Sequence, residues 1–278
     1  VNWNATLDVL LRALQDIDPT PFLVRTDIDI HPISDTAYAD DLFSISARRE
    51  GLQLKADTVS AFTIIFGIKI AIHKLRTFAK CWGDEPSHHR NTHYDLLTYD
   101  DGWIPHRTPV RYVEQDDNFD SVFKYLGVHI DVNNRFKHQH NVTSANIAQA
   151  SLSALSRQAS AETIASVMVI SPFRKATFPS KYCPWNLNEH RALDTPVNAL
   201  YKHHLHLMPS NPNAALYMPV DTGGLGLQRL SDTILIDKWA MIWRGLHSDT
   251  STRIATEGLL HRAFRLGHTD TDKGYHSL

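Results

Sequence analysis

The sequence predicts an α+β region over residues 1–134, with helices packed on an antiparallel sheet, followed by a mainly α region over residues 135–278. Three observations carry this reading. Apolar residues recur at helical spacing near the start, alternating segments between them close on Asp-Asp and Asp-Gly turns, and beyond Asn134 the pattern is helical for most of the remaining length. The charge changes sign at the same place. Residues 1–134 carry 13 Lys and Arg against 20 Asp and Glu, and residues 135–278 carry 15 against 10, about −7 and +5 within a total of −2.

Leu7, Leu10, Leu11 and Leu14 fall on one helical face, so a helix is expected over Trp3 to Gln15, stopped by Asp18-Pro19. Phe22 to Ile30 alternates Val24, Ile28 and Ile30 with polar residues and reads as a strand. Thr36 to Ser46 reads as strand, acidic turn, strand. Arg48 to Phe66 has helical spacing through Leu52, Val59, Phe62, Ile65 and Phe66, and Gly67 suits the left-handed position past a helix end. Short strands are expected at Ile68 to Ile72 and Leu75 to Cys81. The His-rich stretch from Gly83 to Asn91 reads as a loop, and Asp101-Gly102 as a hairpin turn between Leu96–Tyr99 and Trp103-Ile104. Phe123 to Ile130 reads as a strand. In the helical part, Pro172, Pro179, Pro184, Pro196, Pro209, Pro212 and Pro219 are expected interruptions.

A 42% hydrophobic content supplies a buried core, while the near-neutral total gives no whole-chain sign of nucleic-acid binding. The acidic half suits cations and the basic half suits phosphates. Cys81 and Cys183 are too few for a disulfide framework and form no CxxC pair, which favours a reducing compartment, nuclear or cytoplasmic. No long apolar run or signal-peptide pattern is present, so no membrane association is expected. The chain starts at Val1 and enters an amphipathic run at once, which leads us to expect a start inside a larger gene product.

Two adjacent carboxylates on a tight turn can hold a hard divalent cation, because Mg²⁺ prefers oxygen ligands and keeps several waters. An Asp-Asp pair alone is also common in turns for backbone reasons. Here the pair has company. Tyr38-Ala39-Asp40-Asp41, between Asp35-Thr36-Ala37 and Leu42-Phe43-Ser44-Ile45, resembles the catalytic hairpin of reverse transcriptases, especially those of non-LTR retrotransposons. The resemblance continues in the family's order. The Arg48–Phe66 helix, then Gly67-Ile68-Lys69-Ile70 and Lys74, resembles the next palm motif, with Ala71 where Asn is common. Phe123-Lys124-Tyr125-Leu126-Gly127-Val128 resembles the primer-grip segment, and Gly223-Gly224-Leu225-Gly226-Leu227 a Gly-rich stretch after the thumb. The match spans roughly Trp3 to Leu230.

The resemblance implies a partial palm over 1–134, with an antiparallel sheet, and a helical thumb and C-terminal extension over 135–278. It implies RNA-directed DNA polymerase chemistry, a nucleotidyltransferase reaction adding deoxynucleoside triphosphates to a DNA primer on an RNA template. Asp40 and Asp41 would hold Mg²⁺ (two ions in a complete site, with Mn²⁺ a substitute), Lys74 would aid pyrophosphate departure, and Tyr125, Leu126 and Gly127 would form the primer grip. Arg135, Lys137, Arg157, Arg174, Lys175 and Lys181 would face the nucleic-acid backbone, where phosphate contacts dominate affinity. The family also needs an aspartate on an earlier strand and a Gln-Gly and Ser-Pro pocket motif before the hairpin, and neither is found there. Asn2-Trp3-Asn4 resembles the residues just after that motif. The expectation is therefore a fragment, inactive alone, whose partner is the missing upstream part of the same polypeptide. Asp27 and Asp29 read as a chance acidic pair and not as substitutes.

The alternative is a non-catalytic nucleic-acid-binding remnant of a retroelement. A hydrolase using Asp40 and Asp41 as acid and base leaves Tyr125-Leu126-Gly127 and Gly223-Gly224 without a role. Two histidine groups, His88, His89 and His93, and His203, His204 and His206, approach metal-ligand spacing without Cys partners, and are read as polar surface. Trp239, Trp243 and Phe264 recur at helical spacing and are read as core.

Overall fold

The structure, a computed structural model, describes residues 3–25, 30–33, 35–38, 41–77, 94–99, 105–110, 122–131 and 136–269. It is mixed α+β, with short antiparallel strand pairs and helices. The chain divides into two compact units, Val1–Leu126 and Gly127–Leu278.

In the first unit, α1 (Trp3–Ile17) is followed by β1 (Phe22–Arg25) and β2 (Ile30–Ile33), which pair antiparallel with Phe22 opposite Ile33 and Arg25 opposite Ile30. The expected single strand over Phe22–Ile30 is therefore two strands of a hairpin. Asp27 and Asp29 lie outside the described residues. Next come β3 (Thr36–Tyr38) and β4 (Asp41–Phe43), again antiparallel, then α2 (Arg49–Ile65). The helix ends as Gly67 predicts: at φ +64° it lets Ile68 N–H reach the Thr63 carbonyl (2.8 Å) and Gly67 N–H the Ile64 carbonyl (3.2 Å), closing a Schellman motif.

No strand forms over Ile68–Ile72. Residues 68–71 carry no regular structure and Ile72–Lys74 is a single 3₁₀ turn, in which Lys74 N–H donates to the Ala71 carbonyl. The strand expected over Leu75–Cys81 is also absent from its described part, where Thr77 makes one isolated bridge. β5 (Asp95–Tyr99) pairs with β6 (Pro105–Pro109), and their connection, including Asp101-Gly102, lies outside the described residues, as does the His-rich stretch. β7 (Val122–Tyr125) closes the unit.

α2 is the organiser of this unit. One side packs Val59 and Phe62 with Leu7, Leu10 and Leu14 of α1, joined by Leu42 and Ile68. Another side packs Ala56 with Leu96 and Val110, joined by Ile70, Ile72 and Leu75. The Gln53 amide holds β5 to α2, donating to the Asp95 carbonyl (2.8 Å) and accepting from Asp95 N–H (3.0 Å).

The second unit opens with β8 (Val128–Asp131), followed by α3 (Lys137–Leu155) and α4 (Ala161–Met168), whose N-terminus is capped by the Ser160 hydroxyl. A π-helical turn (Val169–Phe173) leads directly into α5 (Arg174–Ser180). Pro172 and Pro179 therefore lie inside helical structure and do not end it. Pro172 sits in the wider π turn, where its missing N–H and bulky ring are tolerated better than in a tight α turn. α6 (Leu187–Ala192) begins with an Asn186–Glu189 capping box, and α7 (Asp194–His204), the short α8 (Ala214–Tyr217), α9 (Leu230–Leu246) and α10 (Thr250–Thr269) complete the unit. Ile147, Ile164, Met168, Phe173, Trp185, Val197, Leu200, Leu216 and Ile234 meet in one core. Trp239 and Trp243 do not join it. They are 62% and 65% exposed on α9, because the helix buries its opposite face through Leu230, Ser231 and Ile234. The side chain of Phe264 lies outside the described residues.

Candidate active site

The acidic hairpin forms as two antiparallel strands, with Thr36 opposite Phe43, Ala37 opposite Leu42 and Tyr38 opposite Asp41, so Asp41 is the first residue of β4. Ala39 and Asp40 lie outside the described residues. Asp41 is exposed, and its carboxylate has no hydrogen-bond or ion-pair partner among the described residues. Side chains alternate along a strand, so Leu42 turns into the α1–α2 core while Asp41 and Phe43 share the other face. On that face Phe43 meets Tyr125, with ring centroids 5.3 Å apart and planes at 43°. Two segments more than eighty residues apart in sequence are thereby brought together: the acidic hairpin and the strand that ends at Tyr125.

The base of the hairpin is held by a group that the sequence reading missed. Lys55 of α2 is 1% exposed, and its Nζ lies 2.9 Å from Asp35 Oδ2, 3.2 Å from Asp18 Oδ2 and 2.6 Å from the Ile45 carbonyl. Both carboxylate side chains are equally sealed, at 0% and 1%. Asp18 Oδ1 further accepts from Thr20 N–H (2.9 Å) and from the Ser46 hydroxyl (3.3 Å). Desolvation is the largest single influence on Asp18 and pushes its pKa up. The Thr20, Lys55 and Ser46 hydrogen bonds with the Lys55 charge outweigh it, leaving the carboxyl below its ordinary value. Gly51, one turn before Lys55, makes the approach possible: a Cβ there would stand 2.2 Å from Asp18 Oδ1. One signal in the sequence marks Lys55, its position on the apolar stripe Leu52, Val59, Phe62, where a lone lysine needs a buried partner.

Lys74 ends the 3₁₀ turn and is exposed. Phe123–Ile130 is not the continuous strand expected. β7 ends at Tyr125, and Leu126 (φ +46°) and Gly127 (φ +82°) follow it in a turn with positive φ.

Among the basic residues, Arg135 lies outside the described residues. Lys137, Arg157, Arg174 and Lys175 are exposed, at the start of α3, just after α3, and at the start of α5. Lys175 lines a groove of about 360 Å³ whose lining is mixed, with Thr143, Asn146, Gln149, Ser153 and Ser171 beside Ala150, Pro172 and Ala176. Lys181 is half-buried, its Nζ 4.8 Å from the Phe178 ring centroid and 5.1 Å from that of Tyr182. The Gly-rich stretch has a structural role. Leu225 and Leu227 N–H groups donate to the Ala215 and Leu216 carbonyls and Gly226 N–H to that of Met218, zipping the segment onto α8.

Among the described residues, no three His, Cys, Asp or Glu side chains gather where a metal ion could sit. His203, His204 and His206 end α7 without converging, with His204 Nε2 3.2 Å from the Ala154 carbonyl. His88, His89 and His93 lie outside the described residues. Among the described residues, no helix is long and apolar enough to cross a membrane. No protein-family model and no curated protein matches this chain.

Proposed function

We propose that this chain is the C-terminal palm and thumb portion of an RNA-directed DNA polymerase of the reverse-transcriptase type, resembling those of non-LTR retrotransposons. The observation that carries the reading is the β3–β4 register, which pairs Asp41 with Tyr38 and leaves Asp41 exposed, its carboxylate without a partner among the described residues. The donor chemistry fits Mg²⁺, since Asp40 and Asp41 offer hard anionic oxygens, whereas Asp18 and Asp35 are already engaged by Lys55. Bound ions would activate the primer hydroxyl and offset charge on the departing pyrophosphate. Lys74 is the residue assigned to the nucleotide phosphates, and Tyr125, Leu126 and Gly127 are assigned to the primer end. Lys137, Arg157, Arg174, Lys175 and Lys181, with Arg135, are assigned to the backbone of the template–primer duplex.

On this reading the site needs a further carboxylate from an upstream strand, and residues 1–278 alone do not add nucleotides. Primer extension by residues 1–278 that disappears in Asp40→Ala would overturn that statement. A second reading, a nucleic-acid-binding remnant without catalysis, draws support from Lys55, which engages both Asp18 and Asp35 and leaves neither as a spare ligand. Both readings require phosphate contacts. Binding of an RNA–DNA duplex, followed by fluorescence anisotropy, is expected to weaken with a log–log salt slope of about −0.9 per neutralised phosphate. Lys175→Glu and Arg174→Glu are expected to reduce that slope. A flat salt response contradicts both.

A further inference from the structure

We infer that Lys55 is a positioning residue for the β3–β4 hairpin that carries Asp41, acting through its base; its role toward metal rests on the polymerase reading above. A hairpin of three residue pairs has little stability of its own, so the direction of its tip depends on what holds its two legs. One ammonium holds both. Asp35 immediately precedes β3 and Ile45 follows β4, and Lys55 Nζ reaches the Asp35 carboxylate at 2.9 Å and the Ile45 carbonyl at 2.6 Å. The same nitrogen takes Asp18, so the hairpin base, the exit of α1 and the middle of α2 share one buried charge.

The exit leg is tied a second time, since Ala47 N–H donates to the Thr20 carbonyl (3.0 Å) and the Ser46 hydroxyl to Asp18. Gly51 leaves the space in which Asp18 approaches the helix. An apolar residue at position 55 would fill the volume but remove the one group that holds both legs, leaving the exit leg on its second tie and two carboxylates close together without the shared ammonium. An arginine keeps the charge and the donors. Loss of support behind a ligand typically lowers metal affinity 10–100-fold, without touching the ligands themselves.

The test compares wild type, Lys55→Met and Lys55→Arg by amide hydrogen exchange and by Mn²⁺ binding on the 278-residue chain. In Lys55→Met, exchange at residues 36–38 and 41–43 is expected to accelerate about tenfold or more, while α1 and α2 retain their protection. Mn²⁺ affinity at the hairpin is expected to fall about tenfold, and Lys55→Arg to recover most of both. If Lys55→Met does not melt cooperatively, the same comparison is made on Asp18→Asn/Asp35→Asn/Lys55→Met, which removes the two carboxylate charges as well. Unchanged exchange in β3 and β4 in a cooperatively folded variant overturns the inference. Wild type that binds no Mn²⁺ at the hairpin overturns the polymerase reading instead, and the exchange data still decide whether Lys55 holds the hairpin.

Discussion

Phe43 and Tyr125 stack obliquely with ring centroids 5.3 Å apart, joining the strand that carries Asp41 to the last residue of β7. Aromatic pairs of this kind contribute about 0.5–1.5 kcal/mol beyond the area they bury. A double-mutant cycle with Phe43→Leu and Tyr125→Leu is expected to give a coupling energy in that range from urea denaturation. Additive effects would mean that the two motifs are not joined through these rings.

Asp194 holds the start of α9 by accepting from both Ser231 N–H (3.0 Å) and the Ser231 hydroxyl (2.6 Å), all buried. Asp194→Ala leaves a buried N–H and hydroxyl without partners and is expected to cost about 1–3 kcal/mol. Asp194→Asn keeps one acceptor and should cost less. Thermal melts of the two variants check the order.

Gly224 and Gly223 separate two reasons for glycine. A Cβ on Gly224 would stand 2.1 Å from the Met218 carbonyl oxygen, a backbone atom that cannot step aside. Gly223 has open space around it but φ +85°. Gly224→Ala is therefore expected to destabilise by about 3 kcal/mol or more, and Gly223→Ala by about 1 kcal/mol. Equal losses would show that the packing of the Gly-rich stretch against α8 is not what fixes its composition.

His190 is buried and its pKa is pushed down to about 4, first by desolvation, then by the Lys238 and His140 charges. Its Nε2 accepts from Lys238 Nζ at 3.0 Å, which requires the neutral ring. The unfolded chain takes up a proton near pH 6.5 that the folded chain refuses until about pH 4. Stability is thus expected to fall as pH drops across that window, by about 3 kcal/mol at 1.36 kcal/mol per pKa unit. Denaturation at pH 7, 5.5 and 4.5 checks the slope, and His190→Gln should flatten it.

What the sequence reveals and conceals follows from what periodicity measures. The Thr36–Ser46 hairpin was readable from its alternating strands around an acidic turn, although Asp41 itself begins β4, and the end of α2 was readable from Gly67. Phe22–Ile30 was not, because a strand and its antiparallel partner continue one alternation across the turn, so Val24, Ile28 and Ile30 do not announce it. Ile68, Ile70 and Ile72 also alternate like a strand, yet they do so because Ile68 faces the α1–α2 core and Ile70 and Ile72 the β5 side. Alternation there reports burial and not a hydrogen-bonded ladder. Trp239 and Trp243 are aromatic at helical spacing but lie on the exposed face of α9, since size and spacing do not say which face is covered. Lys55 was hidden because its partners Asp18 and Asp35 are distant in sequence and ordinary as turn residues.

On the proposed polymerase reading, Asp40 and Asp41 hold a divalent cation. Paramagnetic relaxation of backbone amides during a Mn²⁺ titration tests it most directly, because the ion broadens the signals nearest to it. We predict selective broadening around residues 36–43 in wild type, competed by Mg²⁺ and lost in Asp40→Asn/Asp41→Asn. Broadening elsewhere, or broadening that survives in that variant, would show that Asp40 and Asp41 do not hold the cation.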